Sequence, residues 1–230
     1  MLRLEHLTLS QPGFQLTADF TAESGVTAVI GPSGSGKSSL LMAIAGFLAP
    51  TSGAILWQGR DITGLAPAQR PVGILFQDQN LFPHLTIVQN LGLALAPDLR
   101  LSSDQKARIA ATLSRLGLAD TPNRRPADLS GGQQGRAALA RVLLQARPIL
   151  LLDEPFAALG PALKTDLLTL VRDLTAETGA VTLLVTHDPR DAQRFAEKTI
   201  LVADGVAQPP APTTELFANP GPALKAYLGT

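Results

Sequence analysis

"VTAVIGPSGSGKSSLLMAIAG", residues 26–46, decides the fold. Its first five residues, Val26 to Ile30, are apolar and β-branched, short enough for a strand buried on both faces. Gly31 to Ser38 then fits G-x-x-x-x-G-K-[ST], and an apolar helix pattern runs on from Ser38 to a stop before Pro50. Strand, glycine-rich loop and helix are the context in which this motif holds phosphate. The glycines let backbone N–H groups turn inward as a nest, and a helix starting near Lys37 adds its positive end. The expected phosphate contacts are Gly31, Pro32, Ser33, Gly34, Ser35, Gly36, Lys37, Ser38 and Ser39. In such loops the Lys reaches the β- and γ-phosphates and the Ser hydroxyl ligates Mg²⁺. The loop alone does not separate ATPases from GTPases or small-molecule kinases.

Outward from this loop, hydrophobic runs alternate in kind. "LRLEHLTL" and "FQLTADFTA" alternate apolar with polar residues around a Pro12-Gly13 turn, which predicts an antiparallel pair of strands. "GAILWQG", "VGILFQ", "RPILLLDEP", "VTLLVTHD" and "KTILVADG" read as further strands. "LKTDLLTLVRDLTAETG" and "RDAQRFA" read as helices, and "TELFA" as a short one in a proline-rich tail. Leu91 to Leu118 is rich in Leu and Ala at helical spacing, with polar breaks, and reads as a helical insert. Strands alternating with helices predict a mainly parallel α/β sheet.

The chain has 230 residues, 45% of them apolar, enough for one domain with a small subdomain. Lys plus Arg and Asp plus Glu number 19 each, a balance that argues against an electrostatic nucleic-acid partner. No window reaches the roughly 18 apolar residues of a membrane span, and the charged start "MLRLEHLTLS" lacks the apolar run of a signal peptide. With no cysteine there is neither a disulfide framework nor a thiolate metal site, and a cytoplasmic location is expected.

Two more stretches carry chemistry. "ILLLDEP", Ile149 to Pro155, is a buried strand ending in two acids, where the end of a parallel strand meets a ligand. Asp153 is placed to hold the Mg²⁺ shell, and Glu154 to deprotonate an attacking water. "LSGGQ", Leu129 to Gln133, sets Ser130, Gly131, Gly132 and Gln133 at a helix N-terminus, a second anion grip. A helix from Gln133 to about Ala146 is roughly 20 Å long at ~1.5 Å per residue. That length between Ser130 and the Asp153 strand favours use of this grip on the phosphate held by a second copy.

"LSGGQ" resembles the signature of ATP-binding-cassette ATPases, and the other marks of that family stand in order. "LFQ" supplies Gln77, matching the family's Q-loop, and "VTHD" supplies His187, matching its switch histidine. The resemblance covers nearly the whole chain. It implies a P-loop (RecA-like) core with a small antiparallel β subdomain and a helical subdomain at roughly 84–140, all within one ATPase domain over 1–230. It also implies ATP and Mg²⁺ as ligands, with Ser38, Gln77 and Asp153 on the metal and Glu154, His187 and Gln77 in catalysis. The partners implied are a second copy of the chain, an integral membrane permease and, indirectly, a periplasmic solute-binding protein, with no nucleic acid. The location implied is the cytoplasmic face of the inner membrane. The run "QDQNLFPHLTIVQNLGLAL" is similar to the importer branch, and the solute implied is thiamine or its phosphate esters. A metal ion, sulfate or a polyamine are other cargoes of that branch, and a soluble regulatory nucleotide binder is the alternative outside transport.

Three positions depart from the family pattern. "AALG", Ala157 to Gly160, stands where "SALD" is usual, so Gly160 replaces an Asp that links the two phosphate sites of a dimer. Gly135 lies inside the helix after the signature, at a cost of ~1 kcal/mol relative to Ala. The adenine-stacking aromatic is displaced: Gln11 sits in its neighbourhood, and Phe14 is the nearest candidate.

Overall fold

Two units of unequal size make up the computed structural model, which describes residues 1–77, 81–157 and 159–229. Residues 78–80 of the run after Gln77, and Ala158 within "AALG", lie outside these. The first unit takes Met1–Val72, Pro148–Glu154 and Leu168–Thr230, and the second Gly73–Arg147 and Pro155–Leu167.

In chain order the strands are β1 (Leu2–Gln11), β2 (Phe14–Ala22), β3 (Gly25–Ile30), β4 (Ser52–Trp57), β5 (Arg60–Asp61), β6 (Val72–Leu75), β7 (Ile149–Asp153), β8 (Val181–Val185), β9 (Lys198–Ala203), β10 (Val206–Ala207) and β11 (Ala211–Pro212). The helices are α1 (Lys37–Ala45), α2 (Ile87–Gly92), α3 (Ser103–Arg115), α4 (Gly131–Leu144), α5 (Pro161–Thr178), α6 (Pro189–Phe195), α7 (Thr213–Ala218) and α8 (Pro222–Leu228).

The first unit is built on a sheet ordered β5-β4-β1-β2-β10-β9-β3-β8-β7. β9, β3, β8 and β7 run parallel, as the apolar runs predict. Val26 to Ile30 of β3 and all of β8 are buried, and each fully covered Val, Leu or Ile contributes about 1.5–3 kcal/mol. β1, β2 and β4 pair antiparallel at the other end. Leu2, Leu4, Leu7 and Leu9 face inward, and a bulge between Leu4 and Leu7, with His6 at φ 44°, resets the alternation. The two halves form one sheet because β10 lies parallel to β2 and antiparallel to β9.

The second unit is mainly helical. The Leu/Ala-rich stretch from Leu91 breaks after α2, where Pro97 and Leu99 (φ 58°) turn the chain before α3. α2, α3 and α4 each open on a capping box, Thr86 with Gln89, Ser102 with Gln105, and Ser130 with Gln133. Each box satisfies two of the N–H groups that a helix start leaves open. Gly135 is buried in α4. The first turns of α5 belong to this unit and the rest to the first. Among the described residues no helix is long and apolar enough to cross a membrane.

Candidate phosphate-binding site

The loop between β3 and α1 owes its path to three glycines with left-handed φ, Gly31 (148°), Gly34 (77°) and Gly36 (101°). A Cβ on Gly31 lands 2.0 Å from the Val202 carbonyl oxygen, and one on Gly36 lands 2.5 Å from the Phe14 ring. Gly36 is the N-cap of α1 and offers no side-chain cap, unlike the residues opening α2, α3 and α4. The first-turn N–H groups of α1 therefore have neither intrahelical acceptors nor a capping oxygen. Ser35 Oγ is buried with no hydrogen-bond partner among the described residues. Open N–H groups and an orphaned hydroxyl in a left-handed loop fit a phosphate group well.

These residues line one wall of a cleft of about 490 Å³ within the first unit. Gly31, Ser33, Gly34, Gly36, Lys37, Ser38, Ser39, Phe14, Glu154 and His187 face it, together with Gln11 and Tyr227. Pro32 serves through its carbonyl, which with that of Gly31 accepts hydrogen bonds from Lys37 Nζ at 2.7 and 2.9 Å. Lys37 is only 8% exposed. Burial pushes its ammonium below the ordinary lysine value, while the Glu154 and Asp153 carboxylates draw it back up.

Asp153 ends β7, and the Ser38 hydroxyl donates to its carboxylate at 3.1 Å. Burial raises the Asp153 pKa above the usual carboxylate value; the Ser38 hydrogen bond opposes this, the Glu154 charge adds to it, and Lys37 opposes it. Among the described residues no cluster of three or more His, Cys, Asp or Glu could hold a metal. One hydroxyl and one carboxylate beside a phosphate loop instead suit Mg²⁺, which keeps waters and substrate phosphates as its other ligands.

Glu154 departs from the strand with φ 45°, directly before Pro155. A non-glycine residue held there costs on the order of 1 kcal/mol. Its N–H is anchored on the Val185 carbonyl of β8 at 3.1 Å, and its carboxylate meets His187 Nδ1 at 2.9 Å. The turn carrying His187 is braced below by Thr186, whose hydroxyl donates to Asp191 at 2.5 Å and accepts from the Asp188 N–H.

The remaining expected residues lie in the second unit. Gln77 follows β6 and is exposed. Ser130 accepts from the Gln133 N–H at 3.3 Å, and the Gln133 side chain accepts from the Ser130 N–H at 3.0 Å. The hydroxyl proton of Ser130 stays available to an anion while its lone pair caps α4. Gly132 is needed for packing, since a Cβ there comes within 2.1 Å of Leu163; at Gly131 it meets only Leu159 at 3.5 Å.

Sequence reading missed two residues. Arg70, 1% exposed, gives four hydrogen bonds to carbonyls: Ala43 and Ile44 at the end of α1, and Thr63 and Leu65. Tyr227 of α8 enters the cleft and donates to the His187 carbonyl at 2.9 Å. It is the chain's one tyrosine, but nothing in "PALKAYL" announces a site 40 residues from its partner.

Comparison with known proteins agrees with this geometry. The family described as ABC transporter matches residues 17–157. The chain is 65% identical over its whole length, and the relative's, to the "Thiamine import ATP-binding protein ThiQ" of Cereibacter sphaeroides, and 55% identical, again over both chains, to that of Ruegeria sp.. The dimeric structure of MJ0796, a bacterial ABC transporter cassette, superposes with a TM-score of 0.80 at 30% identity, covering 93% of this chain and 99% of that one. A post-hydrolysis state of the same cassette, bound to ADP and phosphate, superposes equally well. Phosphate loop, paired acids, histidine and signature helix thus stand on an ABC ATPase cassette fold, and the chain belongs to the ABC transporter family.

Proposed function

We propose that this chain is the ATP-binding and ATP-hydrolysing subunit of an importer for thiamine or its phosphate esters. The observation that carries hydrolysis is the meeting of Glu154 and His187 at the mouth of the Lys37 cleft. Full-length likeness to thiamine import ATP-binding proteins supports the solute, as does the sequence from Arg70 to Leu101.

In this reading the open N–H groups of α1, the Ser35 hydroxyl and Lys37 take the phosphates of ATP, and Phe14 and Gln11 lie on the base side. Ser38 and Asp153 would hold Mg²⁺, which when bound would neutralise developing phosphate charge. Glu154 accepts a proton from the attacking water. The new bond from water oxygen to the terminal phosphorus forms as the bond to the bridging oxygen breaks, giving ADP and phosphate. His187 orients the Glu154 carboxylate and the terminal phosphate. Ser130, Gly131, Gly132 and Gln133 grip the phosphate bound by a second copy, an arrangement supported by the dimeric cassette it resembles.

The permease contact is assigned to the second unit. A largely apolar groove of about 740 Å³ is walled there by Phe76, Leu81, Phe82, Leu93 and Ala94, with Phe82 44% exposed under the Arg141 guanidinium. It accepts a short cytoplasmic helix of the permease, which keeps the subunit on the inner membrane, and a periplasmic solute-binding protein is linked only through that permease.

Glu154→Gln tests the chemistry. It should bind ATP as the wild type does and lose at least about a hundredfold in hydrolysis. Single-turnover hydrolysis near the wild-type rate removes Glu154 as the base. Thiamine uptake in cells lacking the gene and any backup importer tests the cargo, and normal uptake there removes the thiamine assignment.

A further inference from the structure

Tyr227 is attached to the site by its hydroxyl rather than by its ring alone. Its O–H donates to the His187 carbonyl at 2.9 Å. That phenol oxygen ties α8 to the turn from β8 into α6 that carries His187. α8 delivers it: Pro222 starts the helix, Leu224 is buried as the anchor, and Gly229 closes it in the left-handed conformation.

We propose that Tyr227 is a positioning residue for hydrolysis, a clip from the C-terminal helix that holds the His187 turn at the register where its imidazole meets Glu154. This rests on the ATPase reading above. The His187 side chain is 59% exposed and its packing gives it little support. What restrains it is its backbone, held on one side by the Thr186–Asp191 contact and on the other by the Tyr227 hydroxyl. Glu154 sits in a strained backbone conformation on the opposite side of that contact. A strained carboxylate and an exposed imidazole stay 2.9 Å apart only while both backbones are fixed. Burial raises the Tyr227 pKa, so the group stays a neutral donor at physiological pH.

Tyr227→Phe keeps the ring and removes the clip. Two measurements test it. In the protein without nucleotide, the His187 ring resonances should shift or broaden while those of His6 and His84, the other two histidines, stay in place. In steady-state turnover kcat should fall about three- to tenfold, the scale of one lost hydrogen bond, with KM for ATP and the melting temperature unchanged. An unmoved His187 signal overturns the proposal, as does an unchanged kcat or an effect confined to KM. Absence of turnover in the wild type would sink the ATPase reading instead, and the His187 resonances would still decide whether the clip exists.

Discussion

Asp153 and Lys37 hold charges that the fold itself disfavours. Each is pushed toward its neutral form by burial, and their mutual attraction only partly compensates. The Asp153 carboxyl binds its proton more tightly in the folded than in the unfolded chain. Its contribution to stability is thus full below the unfolded value, near 4, and is lost as pH rises through the raised folded value. Asp153→Asn, which can still accept from Ser38, should melt at a higher temperature than the wild type at pH 7 without nucleotide. The gap should shrink as pH is lowered through the raised folded value toward the unfolded one, and the variant should lose most of the stabilisation that Mg²⁺ and ATP give the wild type. Melting curves of both proteins across this range check it; a lower melting point for the variant at pH 7 contradicts it. The phosphate loop could be read from sequence because its backbone path is dictated within eight consecutive residues, three of them glycines able to adopt φ values others resist. Arg70 and Tyr227 could not, because each is defined by carbonyls distant in the chain.

Among the elements, α5 shows how one substitution can be read two ways. Gly160 is its N-cap, since its carbonyl accepts the Lys164 N–H at 3.0 Å and Pro161 opens the helix. A Cβ at Gly160 meets nothing within 4 Å. An Asp there has room and would cap the helix besides any signal it carried between two phosphate sites. Gly160→Asp should therefore raise stability by about 0.5 kcal/mol through capping and the helix dipole, a melting shift of roughly 1–2 °C for a chain this long. That shift appears without nucleotide; a change in the cooperativity of ATPase appears only with ATP, so the pair of measurements separates the two roles. Element types were legible where the hydrophobic pattern was strong, as in the continuous apolar runs of β3 and β8 and the helical spacing of α5. The clasp strand β10 was not, because two residues of pairing leave no periodic mark. The break after α2 was legible only as a polar interval, its cause being turn chemistry at Pro97 and Leu99.

At the scale of the whole molecule, the sequence order of strands and helices foretold an α/β sheet. It did not foretell that the antiparallel N-terminal strands would continue into the parallel core through β10, since that join depends on chain segments nearly 200 residues apart. The uncapped start of α1 has a consequence at this scale too. Four other helices cap their own first turns with a side chain, but α1 leaves that closure to a bound phosphate, so the nucleotide is in effect the last piece of secondary structure to arrive. A ligand at a hundred times its Kd stabilises a fold by about 2.7 kcal/mol, which for this length means a melting point higher by roughly 5–10 °C. In Glu154→Gln, where ATP persists, that gain should be seen in full, along with protection of residues 31–36 from proteolysis; an unshifted melting point at saturating ATP contradicts it. A chain of this kind should therefore be hardest to digest while nucleotide is abundant and easiest to degrade when its loop stands empty.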